Sequence, residues 1–341
     1  MKSRKKEWIA LTATLLALAL AVSFLTVLLT PKQHDYGSTW GHYLVEEPET
    51  VDVLFLGSSL VYCNVAPGTL WQETGRTSYV MAGPEQTIPM TYYYLQEALQ
   101  TQSPQAVFVE LTGVFYDRYT GFTKTNIGQM PWGVNRLEAT FREAEPELRG
   151  GLLFPLAFYH DRWSQITRDD VLVTLRGYEA DLLAGYTPLD TYCETGGTFT
   201  RELELDGDNI RRNMEYLARI RDLCLENGAQ PVFFVSPTMS RVEETAFSAM
   251  MEEVAGWEQV LLLNCNEYFA EIGVEEQGDF HDPLHFNTAG AVKFTAFLGR
   301  WMEEHLVLTA NGDADQTLWQ QRADHMAQLA AQPMQPQTDS P

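Results

Sequence analysis

The sequence predicts an α/β fold built on a parallel sheet and preceded by one transmembrane helix. Three observations lead to it. Apolar runs rich in β-formers, "VDVLFL", "SYVMA" and "AVFVEL", alternate with helical patterns such as "TYYYLQEALQ", which is the rhythm of parallel β-α-β units. The alternation resumes after residue 207, where Ile210, Met214, Leu217, Ile220 and Cys224 form a stripe at helical spacing ahead of "PVFFV" and "VLLL". Residues 9–30 carry no charge over a length that lets a helix cross a bilayer.

Taken in order, residues 1–8 form a basic tail in which Lys2, Arg4, Lys5 and Lys6 should stay cytoplasmic, with the rest of the chain following the helix outside. Two readings fit residues 9–30. An uncleaved anchor is favoured because apolar residues run on to Leu29; a cleaved signal peptide is suggested by the small residues Ala19 and Ala21. Residues 31–50 read as a polar juxtamembrane linker that carries the domain off the surface, and the domain itself spans 51–308. Within it, residues 112–207 are rich in aromatics, Gly and Pro with weak periodicity, and read as a helical or irregular insertion over the sheet edge. Gly228 in "ENG" is the expected helix stop, and a final helix should run from about Asn287 through Phe294, Phe297, Trp301 and Leu306. The triple tyrosine Tyr92, Tyr93 and Tyr94 opens a helix and reads as core and rim packing. Residues 309–341 turn to Gln, Ala, Asp and Pro and read as a low-complexity C-terminal tail, its last stretch "QPMQPQTDSP" disordered.

The formal net charge is −23, and four of the basic residues lie in the first six positions, so the body is more acidic still. Such a surface repels polyphosphates, which argues against nucleic-acid binding. Cys63, Cys193, Cys224 and Cys265 are far apart and show no C-x-x-C spacing, which argues against a zinc site. One or two disulfides and buried free thiols are both compatible with an exported domain.

Chemistry concentrates at two places. In open α/β sheets ligands collect beyond the carboxyl ends of the strands, and "GSS", Gly57, Ser58 and Ser59, lies at such an end. Alone it is a tight turn with a capping serine, and it matches neither a phosphate loop nor G-x-S-x-G. Residues 278–290, "GDFHDPLHFNTAG", then bring Asp279, His281, Asp282 and His285 within seven positions just before the last helix. A carboxylate three residues ahead of a histidine, in a turn containing Pro283, can reach the imidazole and fix its tautomer, as a serine-activating base requires. Asn287 is placed to cap the helix that follows. Metal ligation competes for these histidines, but H-x-x-x-H interrupted by proline does not put both on one helix face. No metal and no cofactor are expected.

"LFLGSSL" followed far downstream by "DPLHFN" resembles the SGNH (GDSL) hydrolase superfamily, over residues 51–306, firmly at the two ends and thinly between. The closest likeness is to its membrane-anchored branch, which includes the D-alanyl transfer protein of teichoic acid synthesis and the alginate O-acetylation proteins. The resemblance implies a three-layer α/β/α, flavodoxin-like fold. It places Ser59 as nucleophile, with Asp282 and His285 on the D-x-x-H block. It also implies an oxyanion hole from the Ser59 amide, a glycine amide and an asparagine side chain. "VMAGPEQT" fits the glycine block, which makes Gly83 the donor with Gln86 close by. The asparagine block is altered: Glu110 and Thr112 stand about where the asparagine belongs, and losing one such donor typically costs on the order of 10²–10³ in rate. "LAFYHDRW" is similar to a His-x-Arg-Trp segment of that branch, implying that His160, Arg162 and Trp163 line the mouth of the cleft, Arg162 on an acidic or hydroxylated ligand and Trp163 on a sugar ring.

The expectation is a membrane-anchored extracytoplasmic serine esterase or O-acyltransferase acting on an envelope polysaccharide or other acylated glycan. A multi-spanning membrane acyltransferase is the partner that the resemblance implies. The alternative, from a different class, is an inactive envelope scaffold of the same fold that binds glycan or protein.

Overall fold

A computed structural model of the protein describes residues 2–32, 36–194, 196–201, 205–310 and 312–336. The chain opens on α1 (Lys2–Leu29), an unbroken helix long and apolar enough over Arg4–Leu29 to cross a membrane. After it comes the short α2 (Trp40–Tyr43). The first half of the domain runs β1 (Val53–Gly57), α3 (Ser59–Tyr62), α4 (Pro67–Thr74), β2 (Ser78–Ala82), α5 (Ile88–Ala98) and β3 (Ala106–Glu110). Five helices follow: α6 (Thr123–Gln129), α7 (Val134–Glu143), α8 (Pro146–Leu153), α9 (Leu156–Tyr159) and α10 (Arg168–Arg176). Two-residue strands β4 (Thr191–Tyr192) and β5 (Phe199–Thr200) lead to α11 (Gly207–Glu226), β6 (Gln230–Val235), β7 (Ser240–Arg241), α12 (Glu244–Ala255) and β8 (Leu261–Asn264). The chain closes with α13 (Phe269–Ile272), α14 (Glu276–Asp279), α15 (Thr288–His305), α16 (Gln316–Ala330) and β9 (Gln335–Pro336).

The central sheet is five-stranded and parallel throughout, in the order β2-β1-β3-β6-β8. Strands β1, β2, β3 and β6 are buried on both faces, which explains why they read as nearly continuous apolar runs, while the edge strand β8 is only partly buried. Alternate residues serve opposite layers. Leu54, Leu56, Val107, Val109 and Phe233 pack with α5, α11 and α12. Val53, Phe55, Phe108, Val232 and Phe234 pack with α4 and α15. Strand order reverses between β1 and β3, so the crevice for a ligand falls beyond their carboxyl ends.

Two expectations need correction and a third is filled in. Over its described residues, the expected linker 31–50 is not a free spacer. Trp40 and Tyr43 are buried, Trp40 packs edge-on against Tyr94, and Ser38 bonds to both Val80 and Ala82 of β2, because its aromatics carry more apolar surface than a polar background can leave in water. Residues 112–207, expected as a helical or irregular insertion, hold both kinds of structure, with α6 to α10 before residue 177 and mostly irregular backbone after it; the insertion packs through α7 against α5, with Glu143 of α7 meeting Arg212 and Tyr216 of α11. Residues 309–341 are not simply a tail. They hold α16, which lies along α4, buries Trp319, Ala323 and Met326, stacks Trp319 on Trp71, and buries Arg322 against Glu46. The expectation of disorder in the last stretch meets a β9–β4 pairing at Gln335 and Pro336; residues 337–341 lie outside the described residues. Cys63, Cys224 and Cys265 are buried free thiols.

Candidate active site

Gly57 ends β1 at φ +152°, where a Cβ would come within 2.7 Å of Val61 and 2.9 Å of the Glu110 Cβ. Only glycine suits both the conformation and the space. The chain turns there, and Ser58 caps α3, its Oγ accepting the Leu60 amide at 3.4 Å and the Tyr116 hydroxyl at 3.1 Å. Ser58 is therefore buried and engaged, whereas Ser59, the first residue of the helical turn, is half-buried and turned the other way.

Ser59 Oγ lies 2.7 Å from His285 Nε2, and His285 Nδ1 lies 2.8 Å from Asp282 Oδ2. The other Asp282 oxygen accepts the amides of Leu284, at 2.7 Å, and His285, at 3.0 Å, so the carboxylate shapes the turn that carries the imidazole. Burial pushes the Asp282 carboxyl up, but the His285 hydrogen bond and charge and the two amides more than offset it and leave it below the ordinary carboxylate range. With the Nδ1 proton donated to Asp282, Nε2 is left as acceptor for the serine hydroxyl, the arrangement that makes a serine nucleophilic. A bridge between Phe280 and Phe286 and the His281 amide on the His285 carbonyl close the loop around this pair.

The rest of the "GDFHDPLHFN" cluster points elsewhere. Asp279 pairs with Lys293 at 2.8 Å and His281 meets Thr191 Oγ1 at 2.6 Å. Asn287 caps α15 through the amides of Ala289 and Gly290. Among the described residues no group of three or more His, Cys, Asp or Glu side chains could hold a metal ion.

Parallel register sets the loops after β1, β2 and β3 side by side, with Gly57 opposite Ala82 and Leu56 opposite Val109. Gly83 thus follows β2 beside the serine turn. The position its Cβ would take is held by the Asn126 side chain, which also donates to the Pro84 carbonyl at 2.9 Å. Gln86 is buried, donates to Thr91, and leaves its carbonyl oxygen without a partner. Glu110 ends β3 fully buried, accepting from the Thr112 amide and hydroxyl and from the Ser236 amide. Burial pushes its carboxyl up to about 7 even though those bonds act against the rise. Thr112 lines the adjacent cavity, but its hydroxyl is committed to Glu110.

That cavity, of about 250 Å³, adjoins the serine turn through Leu60 and the histidine turn through Leu284, with Arg201, Thr238 and Arg241 on its far walls. Arg241 ends β7 and Arg201 directly follows β5, its pairing partner, with the Arg201 amide on the Arg241 carbonyl. Neither emerged from the sequence, because their neighbourhood depends on a pairing across 40 positions. His160, Arg162 and Trp163 do not join this site. Arg162 binds Asp170 and the Leu29 carbonyl at the end of α1, His160 is exposed on the Ala157 carbonyl, and Trp163 is exposed. A nearby carboxylate and an open helix end captured the arginine that the resemblance assigned to a ligand.

Asn64 is the other residue the sequence reading passed over. Fully buried, it donates to Ser236 Oγ at 2.8 Å and accepts the Phe286 amide, joining the nucleophile turn to the histidine turn. No protein-family model matches this sequence, and no curated protein matches it.

Proposed function

We propose that the protein is a serine-dependent esterase or O-acyltransferase of the SGNH type. The observation that carries this reading is the unbroken line of hydrogen bonds from Asp282 through His285 to Ser59, at the switch point of a parallel sheet. Ser59 Oγ attacks the carbonyl carbon of an ester while His285 Nε2 takes its proton; Asp282 stabilises the imidazolium. The Ser59 and Gly83 amides are the proposed donors to the oxyanion. Collapse of the tetrahedral species breaks the bond to the leaving alcohol, which leaves with the His285 proton, and Ser59 retains the acyl group. Water or a second hydroxyl then attacks that acyl-enzyme, passing its proton to His285 and restoring Ser59.

The proposed substrate is an O-acylated polysaccharide of the cell envelope, with α1 as anchor, the basic N-terminus cytoplasmic and the domain outside. The cavity at Leu60 and Leu284 provides room for a sugar residue beside the ester, with Arg201 and Arg241 available to its hydroxyl or acidic groups. A multi-spanning membrane acyltransferase is the proposed source of acyl groups in the transfer reaction.

The end of β3 favours a second reading, a binding protein that has lost catalysis. Glu110 and Thr112 stand about where the resemblance implies an asparagine donor, and an ionised Glu110 carboxylate there opposes an oxyanion. A fluorophosphonate probe applied to the full-length protein in detergent separates the two. Labelling that persists in Ser58→Ala and vanishes in Ser59→Ala supports the enzyme; an unlabelled wild type refutes it in favour of the binding protein.

A further inference from the structure

The helix α7 is amphipathic in the inverted sense. Its polar residues face the protein: Arg136 is buried on the carbonyls of Gly128, Met130 and Leu152, and Glu143 is buried against Arg212 and Tyr216. Its large apolar residues face outward, while the small Ala139 is buried. Val134 is 71% exposed, Leu137 40% and Phe141 54%, a stripe at helical spacing with only the Glu138–Arg142 pair beside it. Trp132, just ahead of the helix, is 57% exposed, and Phe154 and Trp163 are exposed as well.

Trp132, Phe154 and Trp163 belong to the region where α1 leaves the domain, and α7 reaches it through Arg136. Trp132 shares a cavity with Thr26 and Val27 of the last turn of α1, with Thr30 just past it, and with Pro155, the neighbour of Phe154. Trp163 follows the arginine that bonds the Leu29 carbonyl. α1 itself packs on α9 and α10. Soluble surfaces rarely gather so many large apolar side chains, and tryptophans at the end of an apolar helix are the mark of a membrane interface.

We infer that the outward face of α7, with Trp132, Phe154 and Trp163, lies in the headgroup region of the same bilayer that α1 enters. The occupant is lipid because α1 brings lipid to this place whatever else the protein meets. The apolar stripe inserts shallowly, in the manner of an interfacial helix, while the polar face holds it to the domain. The domain is then held at two points, by the anchor and by the insertion. This reading is independent of any chemistry at Ser59.

The test uses the full-length chain reconstituted in vesicles of phosphatidylcholine and phosphatidylglycerol that contain lipids with a nitroxide near the headgroup in both leaflets. In a Cys193→Ser background, which leaves only buried thiols, an environment-sensitive fluorophore is placed at Leu137→Cys or Phe141→Cys, and for reference at Val307→Cys, which is fully exposed beyond α15. Labels at 137 and 141 should shift to the blue and lose intensity to the nitroxide lipid, while the label at 307 does neither. If 137 and 141 behave like 307, the face is not in lipid and the inference fails; the fluorophosphonate result is unaffected either way. All three positions are on the surface, so folding is not at stake in the comparison.

Discussion

Asn64 accepts a hydrogen bond from the Phe286 backbone amide at 2.9 Å, across 222 positions of sequence. The two turns that carry Ser59 and His285 are thereby held to each other by one buried side chain, which Ser236 completes from a third loop. Removing it in Asn64→Ala leaves the Phe286 N–H without its partner in the interior, which costs about 1–3 kcal/mol. Chemical denaturation should register that loss, and fluorophosphonate labelling of Ser59 should slow as the Ser59–His285 distance spreads.

Asp282→Asn is a sharper probe of the histidine. An asparagine that keeps its oxygen on the Leu284 and His285 amides turns its NH2 toward Nδ1, which must then accept. The imidazole proton moves to Nε2, facing Ser59, and the base is lost. A drop of about 10⁴-fold in the rate of ester cleavage is expected, by analogy with the triad of serine proteases. Retained ester cleavage in this variant would mean that the imidazole works without the carboxylate. The same carboxylate contributes to folding: its pKa is depressed in the native state, so its stabilisation is present above the ordinary carboxylate pKa and lost as pH falls through the folded value.

Glu110 gives the opposite slope. Its pKa rises from 4.5 to about 7 on folding, so between those values the unfolded chain has released a proton that the native state still holds. Stability therefore declines as pH climbs through that window, by up to about 3 kcal/mol, and is level above it. Glu110→Gln should flatten this dependence, which thermal unfolding at pH 5 and pH 8 would reveal; an unchanged slope would assign it to other groups.

The C-terminal helix is testable through its ion pair. Arg322 is buried with both terminal nitrogens on Glu46, at 3.1 and 2.5 Å, and its Nε on the Asp181 carbonyl. Arg322→Met strands a buried carboxylate and should destabilise by about 3–5 kcal/mol, whereas pairing it with Glu46→Leu should restore most of the loss. Unfolding midpoints of the two variants decide; equal destabilisation would place the damage in packing around Trp319.

The strands were legible because a parallel sheet covered on both sides demands unbroken apolar runs, and "VDVLFL", "SYVMA", "AVFVEL" and "PVFFV" supply them. The Asp282–His285 contact was legible because three residues separate its partners, and a proline turn leaves them little freedom. Ser59 was legible only jointly with that turn. What stayed hidden depends on contacts between distant segments. Trp319, Arg322, Ala323 and Met326 recur at helical spacing, yet the surrounding Gln and Ala concealed a helix whose stability comes from Trp71 and Glu46. Arg162 carried a pattern that suggested a ligand, and Asp170, eight residues on, claimed it. Arg201 and Arg241 had no local pattern at all.

The end of α1 has a further consequence. The helix is 28 residues long, about 42 Å at its ordinary rise, against roughly 30 Å of hydrocarbon. Its last turn does not feed a loose tether: Leu29 is buried, its carbonyl is taken by Arg162, and the Lys32 ammonium reaches back to the Val27 carbonyl. The helix meets the domain through packed and hydrogen-bonded contacts, with α9 and α10 against it. With α1 as the proposed anchor, these contacts would hold Ser59 at one height and one tilt relative to the helix. For the proposed membrane-anchored enzyme, substrates would have to come to that height, so position along the membrane normal would become a selection rule as real as the shape of the cavity.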